Sequence, residues 1–185
     1  MRFLLGLILG LILFPLAAYI YFATGQAPVA TADPDMPFEK FIVRKALHAR
    51  LEGAIPKDVP IQANEENYLA GANLYKQHCA VCHGLPESDK TAIATGMYPR
   101  PPQLFKGKGV TDDPAGESYW KIYNGIRLTG MPAFNKSLSE TQMWQMAVLL
   151  ADADKVPPSV RTALVAPPVP PPQSATPPAA KTPKR

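Results

Sequence analysis

Residues 79–84 read Cys79-Ala80-Val81-Cys82-His83-Gly84 and contain both cysteines of the 185-residue chain. The spacing Cys-x-x-Cys-His is typical of sites where a c-type haem is covalently attached. Two cysteines one helical turn apart can bond the two vinyl groups of the macrocycle, and the adjacent histidine can then ligate the iron. The motif therefore predicts one haem c attached to Cys79 and Cys82, with His83 as an iron ligand.

Three other uses of this motif are weaker. A thioredoxin-like Cys-x-x-Cys is found in a βαβ context, which the surrounding sequence does not predict. A structural zinc site needs four ligands, and the chain has no further cysteine. A disulfide closing a loop of two residues would add little to a domain of this size.

A second iron ligand is expected from the six methionines. We favour Met131, because it lies between a glycine and a proline in a loop that can present a thioether rigidly. Met97, which also follows a glycine, is the second choice. Met143 and Met146 lie on an apolar helical stripe, where methionine is more often core than ligand. The two remaining histidines of the chain are weaker candidates for the iron, namely His48 and His78.

Patterning around the motif predicts helices and no strand of useful length. One helix begins at Asn64, a good N-cap residue followed by two acidic residues. Another starts at Asp113, and a third starts at a capping box formed by Ser139 and Gln142. Residues 84–109 are rich in proline and glycine and are expected to be mostly loop. The predicted fold class is all-α, with three to four helices wrapped around a covalent haem.

The amino terminus contains an uncharged run of 20 residues from Phe3 to Phe22. As a helix it would span about 30 Å, the thickness of the hydrocarbon core. Residues 1–24 are therefore predicted to be a transmembrane anchor. The alternative is a signal peptide cleaved after Ala32. Arg2 precedes the run and Lys40 is the next basic residue, so the amino terminus is expected inside and the remaining chain on the periplasmic face of the inner membrane.

Three further segments complete the predicted organisation. Residues 25–63 form a linker with an amphipathic helix over 37–51. This helix is either a spacer that packs on the main domain or a docking helix at the membrane surface. Residues 64–155 form the haem domain. Residues 156–185 hold ten of the 22 prolines and are predicted to be an extended, disordered tail.

The net charge of +4 is mostly a property of the chain ends. Residues 67–155 carry nine basic and eight acidic side chains, so the net charge of this stretch is only +1. No basic stripe with interleaved aromatic residues is present, so nucleic acid is not an expected partner.

The stretch from Asn64 to Asp154 resembles the class I monohaem cytochromes c, here in a membrane-anchored form. The matching elements are the helix pairs and the sequences at 79–84, 102–104 and 130–134. The resemblance implies that the carbonyl of Pro102 accepts a hydrogen bond from Nδ1 of His83. It also implies that the terminal helix, near Met143, Trp144 and Ala147, is contacted by Gly71 and Tyr75.

Further haem contacts are also expected. The resemblance places Leu104 in the haem pocket together with Pro102. Trp120 and Tyr123 are expected to line the haem pocket on the side of Met131, although core packing would also explain their spacing. The candidate partners of the haem propionates, against an ordinary solvated role, are Arg100 and Arg127.

With a histidine and a methionine both bound, the iron would have no open position for a substrate. The expected function is therefore a membrane-tethered electron carrier, not an enzyme. Its redox partners would be a cytochrome bc-type complex or dehydrogenase as donor and an oxidase or reductase as acceptor. The alternatives are a fixed haem subunit of a membrane oxidoreductase complex and an open-site gas-binding or peroxidatic haem protein.

Overall fold

The structure is a computed structural model that describes residues 2–106 and 113–166, and all regular secondary structure in these ranges is helical. The all-α fold class is confirmed. The helices are α1 (Arg2–Ala23), α2 (Glu39–Glu52), α3 (Glu65–His78), α4 (Ala80–His83), α5 (Ala92–Gly96), α6 (Ala115–Asn124), α7 (Glu140–Ala151) and α8 (Pro158–Val165).

Helix α1 is 22 residues long, and none of its residues is buried. Its length and apolar composition are sufficient to cross a membrane, and Pro15 lies inside it. Its Leu, Ile and Phe side chains are exposed along the helix, and such apolar surface is costly in water.

The pairing of α3 and α7 forms the centre of the domain. A Cβ atom on Gly71 would lie 2.3 Å from the carbonyl oxygen of Gln145, so the two backbones touch at this point. Tyr75 is fully buried beside this contact. Helix α3 begins where the side chain of Asn64 accepts a hydrogen bond from the backbone N–H of Asn67. The glycine contact implied by the resemblance is therefore present, and it centres on residue 145.

Helix α6 packs on α7 through a stacked aromatic pair. The rings of Tyr119 and Trp144 are nearly parallel, with centroids 4.1 Å apart. The predicted capping box at the start of α7 is present, with Ser139 and Gln142 exchanging hydrogen bonds. Helix α6 ends at Asn124, because Gly125 adopts a φ of 65° that breaks the helix.

The structure differs from the sequence prediction after residue 155. The tail was predicted to be extended from residue 156, but Pro158–Val165 form helix α8, which packs against α3. Val156, Val160 and Leu164 recur every four residues and are all buried. Proline is well tolerated in the first helical turn, where its missing N–H is not needed. The folded domain therefore extends to about residue 166, while residues 167–185 of the predicted tail lie outside the described residues.

Lys76 ties α8 to α3. Its ammonium group donates hydrogen bonds to the carbonyl oxygens of Ala163 at 2.6 Å and Ala166 at 3.4 Å. These carbonyls lie at the C-terminal end of α8, where they have no partner within the helix and the dipole favours a positive charge. Only 9% of Lys76 is exposed, so the contact is largely shielded from water.

The segment between α1 and α3 is folded against the domain. Asp33 accepts hydrogen bonds from the backbone N–H groups of Val29 and Ala30. The Tyr98 hydroxyl donates to Asp35 at 2.6 Å and links this segment to the loop that follows α5. Helix α2 begins two residues later than predicted, at Glu39.

Candidate functional site

The Cys-x-x-Cys-His motif forms the single turn α4, directly after α3. The carbonyl oxygen of Cys79 accepts from the backbone N–H groups of Cys82 at 3.0 Å and His83 at 2.9 Å. Both cysteines are unpaired thiols and half-buried. The turn therefore presents two free sulfur atoms and one imidazole on adjacent positions of a compact backbone.

His83 is held by the hydrogen bond that the resemblance implied. Its Nδ1 lies 2.8 Å from the carbonyl oxygen of Pro102. A carbonyl can only accept, so Nδ1 carries the proton and the neutral ring has its lone pair on Nε2. Burial lowers the pKa of His83, and the bond to Pro102 opposes this effect only in part. The ring is thus in the neutral form that ligates metals.

The surroundings of Cys79 raise the pKa of its thiol, whereas those of a redox-active thiol lower it. Burial, with a smaller contribution from Cys82, raises the pKa of Cys79 to about 12. Its sulfur lies 3.8 Å from the sulfur of Met146 in an apolar setting. Disulfide oxidoreductases need a lowered thiol pKa, and the described residues contain no βαβ unit. The thioredoxin-like alternative is therefore disfavoured.

Met131 and Cys79 meet at one apolar cluster. Its buried core consists of Ile122, Met143 and Met146. The placement of these two helix α7 methionines agrees with their predicted core role. The half-buried side chains packed around this core belong to Leu74, Cys79, Tyr119, Tyr123, Met131, Phe134 and Leu138.

The loop that carries Met131 is fixed by its own backbone. The Met131 N–H donates to the Thr129 hydroxyl at 3.1 Å, and its carbonyl accepts from the Ile126 N–H at 3.2 Å. Phe134 N–H donates to the carbonyl of Ile122 on α6 at 3.0 Å. A Cβ on Gly125 would lie within 2.8 Å of the Met131 carbonyl oxygen, so only glycine fits there. The Met131 thioether is therefore carried by a loop whose backbone is held in place by hydrogen bonds.

The second candidate, Met97, lies beside the same loop. A Cβ on Gly130 would lie 2.0 Å from Cε of Met97 and 3.6 Å from its sulfur. The structure thus places Met97 against the residue that precedes Met131. Sequence reasoning did not find this contact, because the two loops are distant in sequence and share no periodic signal.

The other side chains predicted to contact the haem lie partly in the two apolar clusters of the core and partly at the surface. Tyr123 packs in the cluster of Met131, and Trp120 is half-buried on the same helix. Leu104 instead packs against the other core cluster, which contains Tyr75. Arg100 and Arg127, the candidate partners of the haem propionates, are both exposed.

The donor set fits haem c better than a free metal ion. Two unpaired thiols stand next to an imidazole with an available Nε2, which is what covalent attachment of a haem and ligation of its iron would require. In residues 2–106 and 113–166, no three His, Cys, Asp or Glu side chains gather as a metal site would need. The zinc alternative therefore has no support in this part of the chain.

Comparison with known proteins points to the same chemistry. Residues 66–150 match the family model described as cytochrome C oxidase, cbb3-type, subunit III. No curated protein sequence matches the chain. The matched stretch includes α4, Pro102 and Met131 and covers most of α3 and α7. The match supports a cytochrome c family for this stretch and, through that family, haem c as the cofactor and electron transfer as the role.

Proposed function

We propose that this chain is a membrane-tethered monohaem cytochrome of the class I type, which carries single electrons between respiratory-chain components. The observation that carries the proposal is the hydrogen bond from His83 Nδ1 to Pro102, next to two free thiols one turn apart. That bond fixes the tautomer in which Nε2 can ligate iron. The family match over residues 66–150 supports the same chemistry.

Each residue has a distinct task in this proposal. Cys79 and Cys82 would hold one haem through thioether bonds, and His83 would be one ligand of its iron. Met131, in a loop held by its own backbone hydrogen bonds, would be the other ligand and would keep water off the iron. A bound haem would supply the Fe(II)/Fe(III) couple, and a thioether ligand would raise its reduction potential. The chain itself therefore tunes and shields the metal but does not bind a substrate.

The proposed location is the inner membrane, with α1 as a single-pass anchor. The amino terminus would be inside and the haem domain on the periplasmic face, in accord with Arg2 before the span. Tethering keeps the domain at high local concentration near membrane-bound partners. This suits a nearly neutral domain, because a weakly charged surface gives little long-range steering. The proposed partners are a cytochrome bc-type complex or dehydrogenase and an oxidase or reductase.

The ligand assignment is tested by comparing Met131→Ala with Met97→Ala in the detergent-solubilised holoprotein. Met131→Ala should retain covalent haem, bind CO in the ferrous state and lower the reduction potential. Met97→Ala is the matched control, since it removes a neighbouring thioether. This variant should not bind CO in the ferrous state. If only Met97→Ala opened the iron to CO, Met97 would be the ligand. If the wild type itself bound CO rapidly, an open-site gas-binding or peroxidatic protein would replace the carrier.

A fixed subunit of a membrane oxidoreductase is the second candidate. It is favoured by the family match, whose description names an oxidase subunit. Purification of the intact protein in mild detergent separates the two candidates. A free carrier should elute alone, whereas a fixed subunit should elute with stoichiometric partner chains.

A further inference from the structure

We propose that α2 is an interfacial helix that lies on the lipid surface, with Phe38, Phe41 and Ile42 inserted between the headgroups. This inference rests on the proposed function, because it requires α1 to be a membrane anchor. It assigns to the segment between anchor and haem domain a lipid contact of its own. The partner is a phospholipid surface that contains anionic headgroups.

Helix α2 has two different faces. Leu47 and Leu51 lie one turn apart, Leu47 is half-buried, and Leu51 is only 3% exposed. These two side chains form the inward face of the helix, whereas Val43, one turn earlier, is 42% exposed. Phe41 and Ile42 lie on the other side of the helix, and Phe38 immediately precedes its first residue.

The outward face is strongly apolar for a surface helix. Phe38 is 76% exposed, Phe41 65% and Ile42 61%. Single exposed apolar residues are ordinary, but adjacent large ones on one helical face indicate an interaction surface. Two phenylalanines and an isoleucine exposed at the start of one helix are anchors typical of interfacial helices.

The backbone at Phe38 adds an independent observation. Phe38 precedes α2 in the left-handed conformation, with φ 64° and ψ 1°, and its side chain makes no capping hydrogen bond. A bulky residue rarely adopts this conformation, which therefore points to a local requirement. In this conformation the Phe38 ring is left exposed at the start of the helix.

The charge of α2 matches an anionic lipid surface. The helix carries four basic side chains, Lys40, Arg44, Lys45 and Arg50, against the two acidic side chains of Glu39 and Glu52. The difference is +2, with Lys40 ion-paired to Asp35 just before the helix and Arg44, Lys45 and Arg50 left as the remaining basic side chains. Basic side chains beside an apolar face are attracted to anionic headgroups while the apolar face enters the interface.

The chain also keeps α2 close to the membrane. Fifteen residues, 24–38, separate the end of α1 from the start of α2. Fully extended they would reach about 50 Å, but turns held by Asp33 shorten this segment. Tyr19, Tyr21 and Phe22 mark the interfacial end of α1, as aromatic residues do in membrane helices. A lipid surface is therefore the partner that this face meets first.

The test measures the depth of spin labels on the full-length holoprotein in vesicles of phosphatidylcholine and phosphatidylglycerol. Three variants carry one new cysteine each: Phe41→Cys on the outward face, Leu47→Cys on the half-buried inward face as matched control, and Leu9→Cys in α1. The native cysteines are bonded to haem in the proposed holoprotein, and the unsubstituted chain reports any background labelling. Relaxation by oxygen indicates a lipid environment, and relaxation by a water-soluble nickel chelate indicates an aqueous one.

The labels at residues 9 and 41 should both favour oxygen, with a ratio of oxygen to nickel accessibility severalfold above that at residue 47. A lipid-exposed label at residue 9 with an aqueous label at residue 41 would overturn the inference and leave the anchor intact. Aqueous labels at both positions would overturn the anchor and the inference together. In vesicles without phosphatidylglycerol the ratio at residue 41 should fall, and an unchanged ratio would contradict the role of the basic side chains.

Discussion

Replacing Leu164 by alanine should strongly destabilise the haem domain, because α8 is part of its core. Leu164 is 1% exposed and packs in the cluster that contains Val160, Leu149 and Tyr75. Truncation of a buried leucine costs about 2–5 kcal/mol, since transfer energy is lost and a cavity remains. For a domain of this size that cost lowers the melting temperature by roughly 10 °C or more.

Val165→Ala is the matched control on the same helix. Val165 is 47% exposed, so its truncation should change the free energy of unfolding by less than about 0.5 kcal/mol. Both variants are measured as full-length holoprotein in detergent by urea unfolding, followed by circular dichroism. If Leu164→Ala and Val165→Ala both matched the wild type, residues 156–166 would be a tail after all, and the packing of α8 would be refuted.

Lys76→Met should lower the free energy of unfolding by about 1.5–3 kcal/mol, because it removes charged hydrogen bonds to the C-terminal carbonyls of α8; an unchanged urea midpoint would contradict this contact. Gly71→Ala should cost about 1–3 kcal/mol, since its Cβ would collide with the α7 backbone, whereas Gly53→Ala meets no atom within 4 Å and should be neutral or mildly stabilising. Equal melting temperatures for these two variants would refute the close approach. Burial, together with Asp152, raises the pKa of Tyr68 to about 12. The neutral hydroxyl thus favours the folded state, and this stability should be lost as the pH rises from about 10 to 12. The free energy of unfolding of Tyr68→Phe should fall less steeply over that range than that of the wild type. If the two proteins gave parallel curves of stability against pH, the raised pKa of Tyr68 would be contradicted.

The helix starts could be predicted because their signals are local. Asn64 contacts the N–H three residues on, and Ser139 and Gln142 exchange hydrogen bonds across one turn. Such signals depend on neighbouring residues alone. The motif at Cys79–His83 is equally local, and so it was found without tertiary information.

Helix α8 was missed because proline content outweighed a weaker periodic signal. Val156, Val160 and Leu164 have helical spacing, but the prolines on both sides favour an extended chain. Burial against α3 overrides that preference, and burial cannot be read from the segment itself. The contact between Met97 and Gly130 was missed for a related reason, since it joins two loops that meet only in the folded chain.

The mass of the intact, denatured holoprotein tests the central claim most directly. If Cys79 and Cys82 both bond the vinyl groups of one haem, the unfolded chain should carry the mass of the polypeptide plus one haem. Cys79→Ala and Cys82→Ala should each reduce the yield of this species, and the double variant should abolish it. Haem released intact from the wild-type chain by acid and organic solvent, or a haem-bearing double variant, would contradict covalent attachment and with it the proposed function.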